Sequence, residues 1–181
     1  MKRWLMVIAV GCALSVPAVA DRRDPLNDSE IDQMREVAQQ GDKRLHLLVT
    51  FAKSRMLAIY QMRGDPQFVE GRGTRVHDML EDFTAIVNEL DRNIDQYAGQ
   101  RQDVRKPLKE VIEANADFQL KLRGLKEAAG LPENADEAKD WKYVLEDAFD
   151  AVNSDGDNAR QTLEEQEQLA KEKKLHKPTA S

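Results

Sequence analysis

The chain has 181 residues, of which 33% are charged, 41% hydrophobic and 6% aromatic, and its formal net charge is −6. Nine glycines and six prolines are too few for a low-complexity chain, and the apolar residues fall in clear periods that exclude wholesale disorder. The acidic balance argues against general nucleic-acid binding, which rests on basic side chains set against phosphates.

Residues 1–20 read as a targeting signal. Lys2 and Arg3 give the positive start, residues 4–16 the apolar run, and Ala18-Val19-Ala20 a small-x-small cleavage site. The expectation is an exported protein, periplasmic or secreted, cut after Ala20; losing Lys2 and Arg3 takes the formal charge from −6 to −8. A rival reading, lipoprotein processing at Cys12, leaves only residues 4–11 as the apolar run, short for a signal of ~7–15 apolar residues. Cys12 is the one cysteine, so the cut chain has none. That excludes disulfides, thiolate metal sites, cysteine nucleophiles and covalent haem. No later segment approaches the ~20 apolar residues of a membrane span.

Residues 21–28 form a polar leader. Ser29 followed by Asp32 resembles a helix N-cap with an acid in the first turn. One register then runs through Ile31, Met34, Ala38, Gly41, Leu45, Leu48, Ala52, Arg55, Ile59 and Met62 in steps of three and four. It predicts a first helix over 29–63, with a kink or break near Gly41-Asp42, where Asp can cap a second helix. Gly64-Asp65-Pro66 ends it. Residues 67–73 are a connector whose Phe68 and Val69 are expected to tuck onto the end of the core.

The second helix, 74–97, carries an unbroken heptad stripe of Val76, Leu80, Phe83, Val87, Leu90, Ile94 and Tyr97. Met79 and Ile86 widen the stripe, so it calls for more than one partner helix. The third helix, 103–129, tolerates Pro107 in its first turn. Its register is Val104, Leu108, Val111, Asn115, Phe118, Leu122, Leu125 and Ala129. The fourth starts near Asn134 or Asp136 and runs to 172. It takes the register Leu145, Phe149, Val152, Gly156, Ala159, Leu163, Gln166 and Ala170, and is expected to fray or bend at the polar patch 153–158. Residues 173–181 are a basic tail.

The predicted fold class is all-α: an antiparallel up-down bundle of about four helices forming a single domain over 29–172. Charge supports this, since residues 43–63, 74–97, 103–129 and 133–172 carry net +5, −4, +1 and −9. Helices adjacent in sequence thus alternate in sign. The first and fourth helices are the long ones, ~52 and ~55 Å at ~1.5 Å per residue, against ~36 and ~40 Å for the middle two. Their surplus ends are expected to pair. Ile31, Met34 and Ala38 would face Leu163, Gln166 and Ala170, as a two-helix stalk or with 29–40 folded back across the open end. That half-covered apolar strip is the expected partner surface.

Candidate chemistry is sparse. The 153–158 patch resembles a calcium loop, but an EF-hand frame puts Ala151 and Thr162 where an acid and a bidentate Glu belong, so it reads as a solvated patch. His77 and Glu81, four apart, can offer two ligands to one metal, with no third supplied locally. His46 with Met34, Met56, Met62 and Met79 invites a noncovalent haem reading, but His46 lies beside the seam and such methionines fill cores; no cofactor is expected. Asn115 and Arg55 interrupt apolar registers, marking a small polar ligand pocket or a register-fixing layer. In the latter case Asn115→Leu would keep or raise stability. Lys171, Lys173, Lys174 and Lys177 offer contact with an anionic surface, or complement the end of the last helix. No phosphate loop or nucleophile motif is present. The expectation is a non-enzymatic binding or interaction protein with a protein partner or self-association, the alternative being a small-ligand or metal carrier.

Overall fold

The computed structural model describes residues 24–175. The expected signal peptide, Cys12, Lys177 and the side chain of Lys174 lie outside the described residues. Five α-helices pack together: α1 (Asp28–Glu36), α2 (Gly41–Gly64), α3 (Arg72–Gly99), α4 (Arg105–Ala129) and α5 (Ala135–Leu175). Short 3-10 turns at Pro66–Phe68 and Pro132–Asn134 connect them, and there is no strand among the described residues. Among those residues no helix is long and apolar enough to cross a membrane.

The stripe on α3 is the centre of the core. All seven heptad residues from Val76 to Tyr97 are buried, as is Ile86. The α4 register is buried from Val104 through Leu125, Asn115 included. Phe83 and Phe118 meet edge-on with ring centroids 5.0 Å apart, a favoured aromatic arrangement. On α5 the expected Leu145, Val152, Gly156 and Ala159 are buried, and the seam departs from expectation at Phe149 and Leu163, where Ala148 and Thr162 are buried instead. Trp141, Leu145, Ala148, Val152, Asp155, Ala159 and Thr162 are buried, in steps of four and three. Phe149 and Leu163 only border the core. The helix is unbroken through 153–158.

The first predicted helix divides in two. Residues 37–40 reverse the chain, and α1 returns along the side of α2. Tyr97 donates its hydroxyl to the Ala38 carbonyl at 2.9 Å, and the Gly41 N–H donates to Gln102 Oε1 at 3.1 Å. A side chain at Gly41 would put its Cβ 2.7 Å from the Tyr97 ring, so the close approach needs glycine. The relative lengths are corrected accordingly: α2 has 24 residues, α3 28, α4 25, and α5 alone is long at 41. The stalk is not formed. Met34 is buried, Ile31 half-buried and Ala38 exposed, and all three border a groove between α1, α2 and α3 rather than Leu163, Gln166 and Ala170. The cap of α1 is Asn27, not Ser29.

Contact pairs fix how the helices run. Gly41 with Gln102, Arg44 with Asn93 and Arg63 with Arg72 set α2 against α3 in opposite senses. Val104 with Gln166 and Asn115 with Asp155 do the same for α4 and α5. Arg72 with Glu137 and Asp91 with Asn158 place α3 beside α5 in the same sense. His46 with Glu110 and Tyr60 with the Lys121 carbonyl do so for α2 and α4. The helices therefore run α2, α3, α5, α4 around the bundle, and α3 and α4, though adjacent in sequence, meet across its middle. The expected alternation of charge between neighbours fails here, because acidic α3 lies beside acidic α5. Exposed pairs stabilise by only ~0–1 kcal/mol, whereas each fully buried large apolar side chain contributes ~1.5–3 kcal/mol; the seams decide. Phe68 and Val69 do not tuck in either. They are 39% and 63% exposed, and the Arg75 guanidinium stacks over the Phe68 ring.

Phe83→Ala is expected to cost ~3–5 kcal/mol, the usual range for emptying a buried aromatic site. Asn88→Ala, on the exposed face of the same helix, should stay within ~0.5 kcal/mol. Urea melts check both, and equal costs would refute the stripe.

Candidate functional site

A groove of about 510 Å³ runs between α1, α2 and α3. Ile31, Met34, Leu48 and Ile86 line it with apolar surface, and Arg35, Arg44, Glu89 and Arg92 gather toward one end. Arg44 donates to Asn93 Oδ1 at 2.7 Å and to the Met34 carbonyl at 3.2 Å, and reaches Glu89 at 3.4 Å. Arg92 pairs with Glu89 at 2.8 Å and Arg35 with Asp32 at 2.9 Å. Burial pushes the Glu89 carboxyl up, but hydrogen bonds from Arg92, Asn93 and Arg44 outweigh it and leave it below its ordinary value. Three guanidiniums share two carboxylates at this end, an excess of one positive charge.

A buried ion pair fixes the other end of α1. Arg55 donates from Nη1 to Glu30 Oε1 at 2.9 Å, and from Nη2 to Glu30 Oε2 and to the Pro25 carbonyl. The two side chains are 13% and 10% exposed. Glu30 also accepts the Asn27 N–H at 2.9 Å, while Asn27 Oδ1 accepts the Glu30 N–H at 3.0 Å. This is a capping box, which satisfies two otherwise unpaired donors. Burial raises the Glu30 carboxyl, but the hydrogen bonds from Arg55 and Asn27 and the Arg55 charge prevail, and it lies below 4.5.

Arg55 and Asn115 therefore do not share a pocket. Arg55, on α2, pairs with α1, whereas Asn115, on α4, pairs with α5, donating Nδ2 to Asp155 Oδ2 at 2.6 Å. Both side chains are fully buried, and Asn115 Oδ1 and Asp155 Oδ1 have no hydrogen-bond partner. Burial, offset in part by the Asn115 hydrogen bond and reinforced by the Asp91 charge, pushes the Asp155 carboxyl up to about 7. The 153–158 patch is thus solvated at Asn153, Ser154 and Asp157 but buried at Asp155 and Gly156. The expected tolerance of Asn115→Leu is revised too, since that change strands Asp155 without its one donor.

His77 stands on α3 with Nδ1 3.6 Å from Asp78 Oδ1 and 3.9 Å from Glu81 Oε2. The expected pair gains Asp78 as a third donor, and one ligand atom from each lies within 4.8 Å of the others. This one-turn set at the surface is of the imidazole and carboxylate type that divalent zinc-class ions take. His46 instead pairs with Glu110 at the surface, while Met34 and Met56 are core. Gln166 ties α5 to the α3–α4 link, accepting from the Val104 N–H at 3.1 Å and donating to the Gln102 carbonyl at 2.9 Å. Leu163 borders the core and Ala170 is half-buried, while Lys171 and Lys173 are exposed.

The groove and its clasp escaped the sequence reading because Glu30 and Glu89 look like ordinary solvated helix acids. Asp155 did leave a signal, the heptad of Trp141, Leu145, Ala148, Val152, Asp155, Ala159 and Thr162.

Glu30→Ala leaves the Arg55 guanidinium largely buried and unpaired. It is expected to cost ~3 kcal/mol, the lower end of ~3–5 for breaking a buried pair. Hydrogen exchange should show protection lost across 28–36 and kept across 80–94. Acid should act in the same way. A carboxyl lowered on folding stabilises fully above its unfolded value, so α1 docking is present above pH 4.5 and lost as pH falls through the lowered value.

Comparison with protein-family models, curated proteins and solved structures finds no match to the chain.

Proposed function

We propose that this is an exported, non-enzymatic binding protein whose working surface is the groove roofed by α1. The N-terminal pattern of Lys2 and Arg3, the apolar run and Ala18-Val19-Ala20 supports export. In this reading α2 to α5 are an up-down four-helix scaffold, and α1 is an added roof. The ligand is a small amphipathic anion. Its aliphatic part lies along Ile31 and Ala85, above the buried Met34, Leu48 and Ile86, and its charged end meets Arg35, Arg44 and Arg92.

The observation that carries this reading is the groove itself. Its size falls within the ~300–1,000 Å³ of small-molecule sites, which are mainly apolar with a few placed polar groups. Its surplus guanidinium suits an anion, since Arg offers forked donors to carboxylate or phosphate. The groove lining holds recognition groups rather than a nucleophile with its base.

The test is a titration with a fluorescent long-chain carboxylate and its methyl ester. The carboxylate should bind, and Ala85→Trp, which fills the groove from its half-exposed wall, should weaken it about tenfold, or ~1.4 kcal/mol. Arg92→Ala should remove most of the preference for the acid over the ester. Binding unaffected by Ala85→Trp, or none at all, would remove the groove from consideration.

A further inference from the structure

We propose that Asp155 is a proton-binding site built into the α4–α5 seam, and that loss of its proton loosens the seam at mid-length. The placement carries this. Asp155 occupies a heptad position between Val152 and Ala159, both buried, and is itself fully buried. An ionised carboxylate there must be compensated, because transfer of an unpaired charge from water is costly. What reaches it is one neutral amide, from Asn115. Its other oxygen and Asn115 Oδ1 both lack a donor.

No cation among the described residues pairs with Asp155, although the Arg160 guanidinium lies near Gly156 and the Asn115 amide. From α4 the facing group is Asn115. From α3 the nearest charge is Asp91, which with Asp95 accepts the Asn158 amide at 2.7 and 2.9 Å. On α5 itself Arg160 pairs with the exposed Asp157 at 3.0 Å. Among the described residues no basic side chain forms an ion pair with Asp155. A proton is the ligand that removes the charge, and it gives Asp155 an O–H donor beside the unpaired amide oxygen of Asn115. Asp91, Asn158 and the exposed Asp95 mark a polar track toward solvent along the α3–α5 seam.

The linkage has a definite sign. A carboxyl raised on folding holds its proton more tightly when folded. Its stabilisation is complete below the unfolded value and is lost as pH rises through the folded one. Here the window runs from 3.8 to about 7. About three decades of proton affinity mean that the folded-to-unfolded ratio drops up to about a thousandfold between pH 4 and pH 8 from this group. The device is independent of the groove, so its success or failure leaves the proposed ligand site untouched.

Two measurements on the purified protein test it. First, carboxyl carbon shifts of 13C-labelled aspartate should show one group titrating near pH 7, absent from Asp155→Asn. If every aspartate titrates in the ordinary range near pH 4, the proposal is overturned, and this holds even if the variant fails to fold. Second, urea stability across pH 4.5–8.5 should fall in the wild type and stay much flatter in Asp155→Asn. Every other titrating group is common to both proteins, so the difference isolates Asp155. Hydrogen exchange should show amides of 111–119 and 151–159 opening more at pH 8 in the wild type than in Asp155→Asn. Equal opening in the two proteins would overturn the loosening.

Discussion

The structure depends on α3 having two buried flanks rather than one. Its heptad residues pack into the core, while Ile86 turns toward the groove under α1. Phe83 reaches α4 across the middle, and Tyr97 holds the reversal that creates α1. A narrower stripe would serve a two-helix seam. This one is wide enough to lie between α2 and α5 while touching α4. The consequence is an uncomfortable pairing of two acidic helices side by side. Apolar burial overrides it, and the Asn158 amide, donating to Asp91 and Asp95 together, is the local remedy.

α1 is held differently. At nine residues it is below the ~12–15 at which isolated helices are even marginal, so its order comes from docking. Met34 is its one buried apolar anchor, with Leu26 packed at the core's edge just before it. Most of its positioning is polar: Glu30 on Arg55, Arg44 on the Met34 carbonyl, and Tyr97 on the Ala38 carbonyl. Buried ion pairs add little net stability against their desolvation, but they penalise misplacement strongly. Such a roof has one well-defined position and a modest hold on it, which suits a segment covering the proposed ligand groove.

The helical class, the α3 stripe and the α4 register were legible in the sequence because large apolar residues there repeat without interruption. The break at Gly41 was legible as a weak point. The direction of α1 after it was not, since it rests on contacts from Tyr97 and Gln102, distant in sequence. The order of helices around the bundle was misjudged by giving weight to surface charge. On α5 the register was legible at Leu145, Val152, Gly156 and Ala159, but Phe149 and Leu163 outweighed Ala148 and Thr162 on size, so it ran one residue late at those two steps. The error has a physical source: this seam is lined by small and polar residues, and its large members cluster near its start. His77 and Glu81 were placed correctly as neighbours, and their spacing on one turn was enough to show it.

That uneven lining has a consequence for how stability is distributed along α5. Trp141, Leu145 and Val152 bury substantial apolar area, whereas Asp155, Ala159 and Thr162 bury little. Beyond them the helix is tied down by Gln166 and by the Lys109–Glu167 pair, whose partners are 66% and 42% exposed. An exposed pair of that kind holds little. Local opening free energy follows buried contacts, so it should decline along α5 from Trp141 toward its end. Asp155 sits where the decline begins. A charge appearing there has mainly small buried side chains and the half-buried Leu163 on its C-terminal side to resist separation, and strong apolar contacts on its N-terminal side to confine it. The position of the acid in the seam, and not only its burial, therefore sets which half of the helix can respond to its ionisation.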